Sequence, residues 1–176
     1  MLSSMTTFAE PQLEYEQARR RARTAALTAA LTRGSRRLWS LGDFERDFPI
    51  EGSGYRGATQ VPVRNIVGSV NRYRDFDRDF NPLRAEDRDR WARVAEAYLE
   101  GATLPPVDLI KIGDVYVVRD GNHRVSVARH FGVEYIDAVV TEYVTPGDTS
   151  ICVRTLLGER LQSAGRRLKG ASRLGA

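Results

Sequence analysis

The sequence has one cysteine, Cys152, and two histidines, His123 and His130. A single thiol excludes an intramolecular disulfide framework. Three such residues are also too few for a cysteine- and histidine-rich zinc cage. No run of eighteen consecutive apolar residues occurs, so no segment reads as membrane-spanning. The opening MLSSMTTFAEPQ has no basic stretch followed by an apolar one and does not read as a secretory signal. The expected compartment is therefore a reducing cytoplasm. Internal repeats and long low-complexity runs are missing as well. What is present is ordinary for a folded chain: 176 residues, 41% hydrophobic and 28% charged. That length and balance predict one domain with trailing ends.

The net charge of +4 is unevenly placed. The first forty residues hold seven arginines against three acidic residues, and residues 151–176 hold six basic residues against Glu159. Between them, residues 41–150 hold 14 basic and 19 acidic residues. A mildly acidic body thus lies between two basic ends. Basic arms of this kind meet nucleic acid or anionic surfaces, or serve only to keep a chain soluble.

Glu10 to Arg33 predicts a helix, with Pro11 at a first helical position, an Ala- and Leu-rich middle and Gly34 at the stop. A short helix after Ser40 would put Leu41, Phe44 and Phe48 on one side. EGSGYRG, residues 51–57, reads as a glycine-rich connector. Val61, Val63 and Ile66 suggest a short strand, and Asn71 to Leu83 a polar, aromatic loop with a partial helix. Glu86 to Glu100 gives the clearest helical pattern: Trp91, Val94, Ala95, Tyr98 and Leu99 form one apolar stripe. Gly101 and Pro105-Pro106 end it. Val107–Ile112 and Val115–Arg119 read as a hairpin turning at Gly113-Asp114. Asn122 to Phe131 reads as a helix, Tyr135 to Tyr143 as a last strand, and Ile151 to Leu161 as an amphipathic segment of the tail. The expected organisation is a helical extension over 1–57, a compact domain over 58–144 and a basic tail over 145–176.

The segment that carries chemistry is Arg119-Asp120-Gly121-Asn122-His123-Arg124, which joins a strand to a helix. A helix N-terminus exposes unpaired N–H groups and partial positive charge, and so attracts anions. Gly121 permits a tight turn and close backbone approach, and Asp120 or Asn122 can cap the helix. His123 and Arg124 in the first turn oppose the helix dipole, at about 0.3–1 kcal/mol. A phosphate held between them would explain that local conflict: arginine matches phosphate oxygens and histidine can donate or shuttle a proton. An ordinary Asp-Gly turn with solvated His and Arg is the competing reading. A second candidate is RYRDFDRD, residues 72–79. Asp75 and Asp77 could hold a magnesium ion beside a phosphate or act as a base, with Arg72 on the phosphate. The plainer alternative is a surface loop neutralised by its own ion pairs.

With these residues in view, the sequence resembles the ParB/sulfiredoxin superfamily from about Val61 to Tyr143. The likeness rests on VPVRNI, on RYRDFDRDF, on the helix around Trp91 and on PPVDLIKIGDVYVVRDGNHRVSVARHFGVEYIDAVVTE. It is similar to the stand-alone members known as ParB-like nuclease domains. The resemblance implies an α+β fold with a small mixed sheet and packed helices, and a phosphate or nucleotide at the helix terminus. Sulfiredoxins carry a catalytic cysteine at the position matching Asn122, and this chain has none there. Chromosome-partitioning ParB proteins bind CTP and continue into a helix-turn-helix and a dimerisation domain, whereas 33 residues follow Tyr143 here. Free-serine kinases of the superfamily have a DGH-type loop, to which Asp120, Gly121 and Arg124 are similar, and a separate carboxylate base, for which Asp75 or Asp77 would stand.

Two functions are open at this point. In one, a nucleotide (CTP, ATP or ADP) with magnesium binds through Arg72, Asp120, Gly121, Asn122, His123 and Arg124. Asp75, Asp77 and His123 then carry hydrolysis, phosphoryl transfer or phosphodiester cleavage. In the other, the chain is a non-catalytic adaptor whose basic arms grip DNA. A third reading is a helical partner-binding protein whose N-terminal helix packs on the body or on a second copy, as in a homodimer.

Overall fold

The structure is a computed structural model that describes residues 10–31 and 36–146. In chain order its elements are α1 (Pro11–Leu31), β1 (Trp39–Ser40), α2 (Leu41–Asp47), β2 (Gly52–Pro62), β3 (Ile66–Ser69), α3 (Arg88–Leu99), β4 (Val107–Ile112), β5 (Val115–Asp120), α4 (Asn122–His130) and β6 (Tyr135–Val144). The strands form one mixed sheet in the order β1-β3-β5-β4-β6-β2. β1, β3 and β5 run parallel, as do β4 and β6, while β4 with β5 and β2 with β6 are antiparallel. This is the α+β architecture expected from the sequence. Among the described residues no helix is long and apolar enough to cross a membrane.

The apolar runs of β4 and β5 lie in the middle of the sheet because both of their faces are covered. Val107, Leu109 and Val118 face a core with Phe76, Phe80 and Val125 of α4. Ile110, Ile112, Val115 and Val117 face the other side, under Phe44 and Phe48. Ser40 starts α2 through a capping box, in which its amide and hydroxyl both donate to the Asp43 carboxylate, at 2.9 and 2.8 Å. A third apolar layer joins Tyr15 and Ala18 of α1 to Trp91 and Ala95 of α3 and Val127 of α4. Tyr15 meets Trp91 edge-on at 5.6 Å, and its hydroxyl donates to the Arg84 carbonyl. Both rings are fully buried; each such ring removes roughly 150–250 Å² from water, on the order of 4–6 kcal/mol as an upper bound. The stripe expected on α3 is therefore buried through Trp91 and Ala95, while Tyr98 and Leu99 are exposed, Tyr98 stacking on Phe131.

Three local expectations change. EGSGYRG is no connector: Gly52–Gly57 is the first half of β2, which pairs with β6 from Gly52↔Val144 to Pro62↔Tyr135. Backbone pairing on a sheet edge, where one side faces water, overrides the weak strand preference of glycine. The boundary expected at 57/58 consequently falls inside β2. The register breaks between Tyr55 and Gly57, leaving Arg56 as an extra residue in the ladder. Residues 71–83 hold no α-helix; they are shaped by bridges between Phe76 and Pro82 and between Arg37 and Asp77. The third helix begins at Arg88, after a 3-10 turn over Ala85–Asp87. The expected stop at Gly34, Cys152 and the segment 151–161 lie outside the described residues.

Candidate functional site

The strand-to-helix turn forms where the sequence places it. β5 ends at Asp120, and Gly121 adopts φ 99° before α4 begins at Asn122. A Cβ on Gly121 would sit 2.7 Å from Cγ1 of Val107, so both conformation and space call for glycine here. Gly121 itself is the N-cap, and neither Asp120 nor Asn122 caps the helix. Asp120 is drawn away by Arg124, whose Nη2 donates to it at 2.7 Å. The Asn122 side chain is turned inward, and its Oδ1 is buried without a hydrogen-bond partner among the described residues. The amides of Asn122, His123 and Arg124 have no carbonyl one turn back to bond.

These amides open into a pocket of about 220 Å³ lined by Asn71, Arg72, Arg90, Val94, Arg119 and the turn from Asp120 to Arg124. Four arginines face one aspartate, and that aspartate already pairs with Arg124. Arg72 is held in place by three groups. Its amide donates to Ser69 Oγ at 3.0 Å, and its Nη1 reaches Asp75 at 2.9 Å and Asp87 at 3.4 Å. The Arg90 side chain, from α3, makes no hydrogen bond or ion pair among the described residues, and Arg119, from β5, on the same pocket wall, pairs with Asp108 at 3.5 Å.

His123 is buried in the wall of this pocket, 6% exposed, with both ring nitrogens lacking a hydrogen-bond partner among the described residues. Its ring meets Phe76 edge-on at 5.3 Å. Burial, then the nearby Arg90 and Arg72 charges, push its pKa down from 6.5 to about 4. Asp87 Oδ1 lies 3.6 Å from Nε2, but burial raises the Asp87 carboxyl above the ordinary carboxylate range, Arg72 opposing the shift. Contact distance alone would allow an ion pair here; desolvation of both groups argues for a neutral imidazole, and that argument decides, since burying a lone cation is costly. Two buried ring nitrogens and a buried amide oxygen without partners are unusual beside a solvent-open basic pocket.

Other expected residues stand elsewhere. Arg124 does not turn into the pocket as a free fork: its Nη1 donates to the carbonyls of Pro105 and Pro106 at 2.5 and 2.6 Å, tying α4 to the proline corner. Those carbonyls cannot donate to anything and, with Pro-Pro having no N–H to offer, take the guanidinium as their donor. Asp75 is buried and paired through one oxygen to Arg72 and through the other to Arg84 at 2.8 Å. Asp77 is also buried; its Oδ1 accepts from the Asp79 and Asn81 amides, both at 2.9 Å, and Asn81 Nδ2 donates to both of its oxygens at 3.2 Å. It shapes the 77–81 turn. Neither carboxylate lines the pocket, and with every oxygen engaged the donor set does not suit a magnesium ion. Among the described residues no group of three or more His, Cys, Asp or Glu is placed to hold a metal. Sequence reasoning missed Asn71, Asp87 and Arg90, and it included Arg119 in the motif without giving it a role at the site. Arg90 and Asp87 come from the α3 region and carry no local signal.

No protein-family model and no curated protein sequence matches the chain. Among solved structures it is similar to sulfiredoxin from Arabidopsis thaliana, with a TM-score of 0.36 and 17% identity over 47% of this chain and 82% of that one.

Proposed function

We propose that the pocket at the N-terminus of α4 binds the phosphate of a nucleotide, CTP, ATP or ADP, and that the chain is a nucleotide-binding domain of ParB/sulfiredoxin type. The observation that supports this most is the combination of the first-turn amides of α4, without a backbone acceptor among the described residues, with Arg72, Arg90 and Arg119 around one small cavity, over a buried, neutral His123. The amides and guanidiniums hold phosphate oxygens. A neutral imidazole beside them donates its one N–H to a phosphate oxygen, or through its unprotonated nitrogen accepts the proton of an attacking hydroxyl as the O–P bond forms and the leaving oxygen departs. Asp120, Gly121 and Asn122 shape the turn, and Arg124 fixes it to Pro105 and Pro106. Asp75 serves by orienting Arg72. The reaction class, hydrolysis, phosphoryl transfer or phosphodiester cleavage, follows from whichever acceptor reaches His123.

Calorimetric titration of the full chain with CTP, ATP and ADP, with and without magnesium, tests this reading. One of the three binds, and Arg90→Glu with Arg119→Glu weakens it by about tenfold or more. Asp77→Asn, which leaves Oδ1 as an acceptor for the turn, leaves affinity unchanged. Absence of binding by all three nucleotides refutes the proposal.

The adaptor reading keeps one support: Arg20, Arg21 and Arg23 are exposed along α1. It calls for duplex binding that falls steeply with salt and survives Arg90→Glu and Arg119→Glu.

A further inference from the structure

A second cavity lies at the opposite end of α4. It has a volume of about 560 Å³ and lies between α1, the 3-10 turn over Val63–Asn65 and the end of α4. Nothing in the nucleotide reading uses it, and it shares no lining residue with the first pocket. Its walls bring Arg21 from α1, Arg64 from the 3-10 turn and Arg129 from α4 around an apolar floor that includes Val63 and Val133.

The charge balance of this cavity is unusual. Arg36, also on the wall, is paired with Asp79. Arg64 and Arg129 have no carboxylate within ion-pair distance among the described residues, and the contact that Arg21 makes is with His130 Nδ1, at 3.4 Å. Arg129 is the informative member. Its Nη2 donates to the carbonyls of Val63 and Ile66, at 3.1 and 2.6 Å, and its guanidinium lies 5.4 Å from the Phe80 ring centre. The guanidinium is thus fixed in the cavity wall, its hydrogen bonds taken by neutral carbonyls; burial pushes its pKa below the ordinary arginine value, and the Asp77 charge opposes that shift only in part. A half-buried cation with no carboxylate in contact among the described residues is costly, and an anion in the cavity relieves that cost. The carbonyl end of α4 opposes an anion, yet three guanidiniums with no carboxylate in contact among the described residues stand against that partial charge.

We infer that this cavity is a second, separate site for a small phosphorylated molecule, whose phosphate is held by Arg21, Arg64 and Arg129 and whose apolar part rests on Val63 and Val133. The volume is in the range of small-molecule sites, whereas the first pocket has room for little beyond phosphate groups. A nucleic-acid backbone fits less well. Glu134 also lines the cavity and repels a continuous polyanion, and a concave cavity lined in part by apolar side chains suits a compact ligand.

The test uses the full chain labelled with nitrogen-15, titrated with phenyl phosphate and with inorganic phosphate. Phenyl phosphate gives saturable amide shifts over residues 63–65 and 130–134 and binds more tightly than inorganic phosphate. Arg64→Glu and Arg21→Glu, both exposed positions, weaken these shifts by about tenfold or more; Arg90→Glu with Arg119→Glu leaves them unchanged. Shifts confined to residues 121–124, shifts that ignore Arg64→Glu, or none up to about 10 mM overturn the inference. A short DNA duplex that shifts residues 63–65 where phenyl phosphate does not overturns it in favour of nucleic acid. The nucleotide reading stands or falls separately, on the 121–124 shifts.

Discussion

At the residue scale, His123 is an imidazole buried in its neutral form, without the second ring proton. Its pKa of about 4 in the folded chain lies below the 6.5 of an exposed histidine. Between those values the unfolded chain holds a proton that the folded chain does not. Stability therefore rises with pH across that window, is complete above about 6.5, and is lost as pH falls toward 4. At 1.36 kcal/mol per unit this group accounts for about 3 kcal/mol. Asp87 works in the opposite sense, because its raised carboxyl takes up a proton more readily folded than unfolded, and it offsets part of the loss. Denaturant unfolding at pH 7, 5.5 and 4.5 checks the sign: His123→Leu flattens the fall that the native sequence shows, and parallel curves for the two chains would contradict a neutral buried imidazole. The Asp-Gly-Asn-His-Arg turn was readable in advance because its chemistry is local, five adjacent residues between a strand and a helix. The direction of Arg124 was not, because its partners are carbonyls of Pro105 and Pro106 on another segment. Arg90 was unreadable for the same reason: only the packing of α3 beside α4 brings it to the turn.

At the element scale, α1 is more than a charged arm. Its Tyr15 and Ala18 complete the core over Trp91, and its Glu14 and Glu16 reach His130 at 2.7 Å and Arg88 at 2.5 Å. Tyr15→Ala removes a fully buried ring and is expected to cost about 3–5 kcal/mol. In a Trp39→Phe background the same change shifts the Trp91 emission to the red. Unchanged stability and emission would mean that α1 does not pack there. The helices were legible from period and caps, as were the apolar central strands. The edge strand β2 was not, since a glycine-rich sequence shows no alternation and its strand form comes from β6 alongside.

At the scale of the whole molecule, the described body offers two arginine-lined hollows at the two poles of one nine-residue helix. Composition told of an acidic middle between basic ends, and by itself that pointed to the arms as the place for anions. Folding instead collects arginines of the middle segment, Arg72, Arg90 and Arg119, at a single spot, so the charge tally of a segment says little about where its field converges.

The irregularity at Arg56 has a consequence for crowded solutions. β2 is eleven residues long and borders the sheet on its open side, a ready template for stacking chain upon chain into fibrils. The extra residue skews that border, and Arg56, tied to Glu142 at 2.6 Å, plants a charge where a straight rail would otherwise run. Deleting Arg56 restores the even spacing, and light scattering on concentrated samples should then show polymers forming at lower protein concentration than with the native sequence; an unaltered threshold would mean that the kink guards nothing.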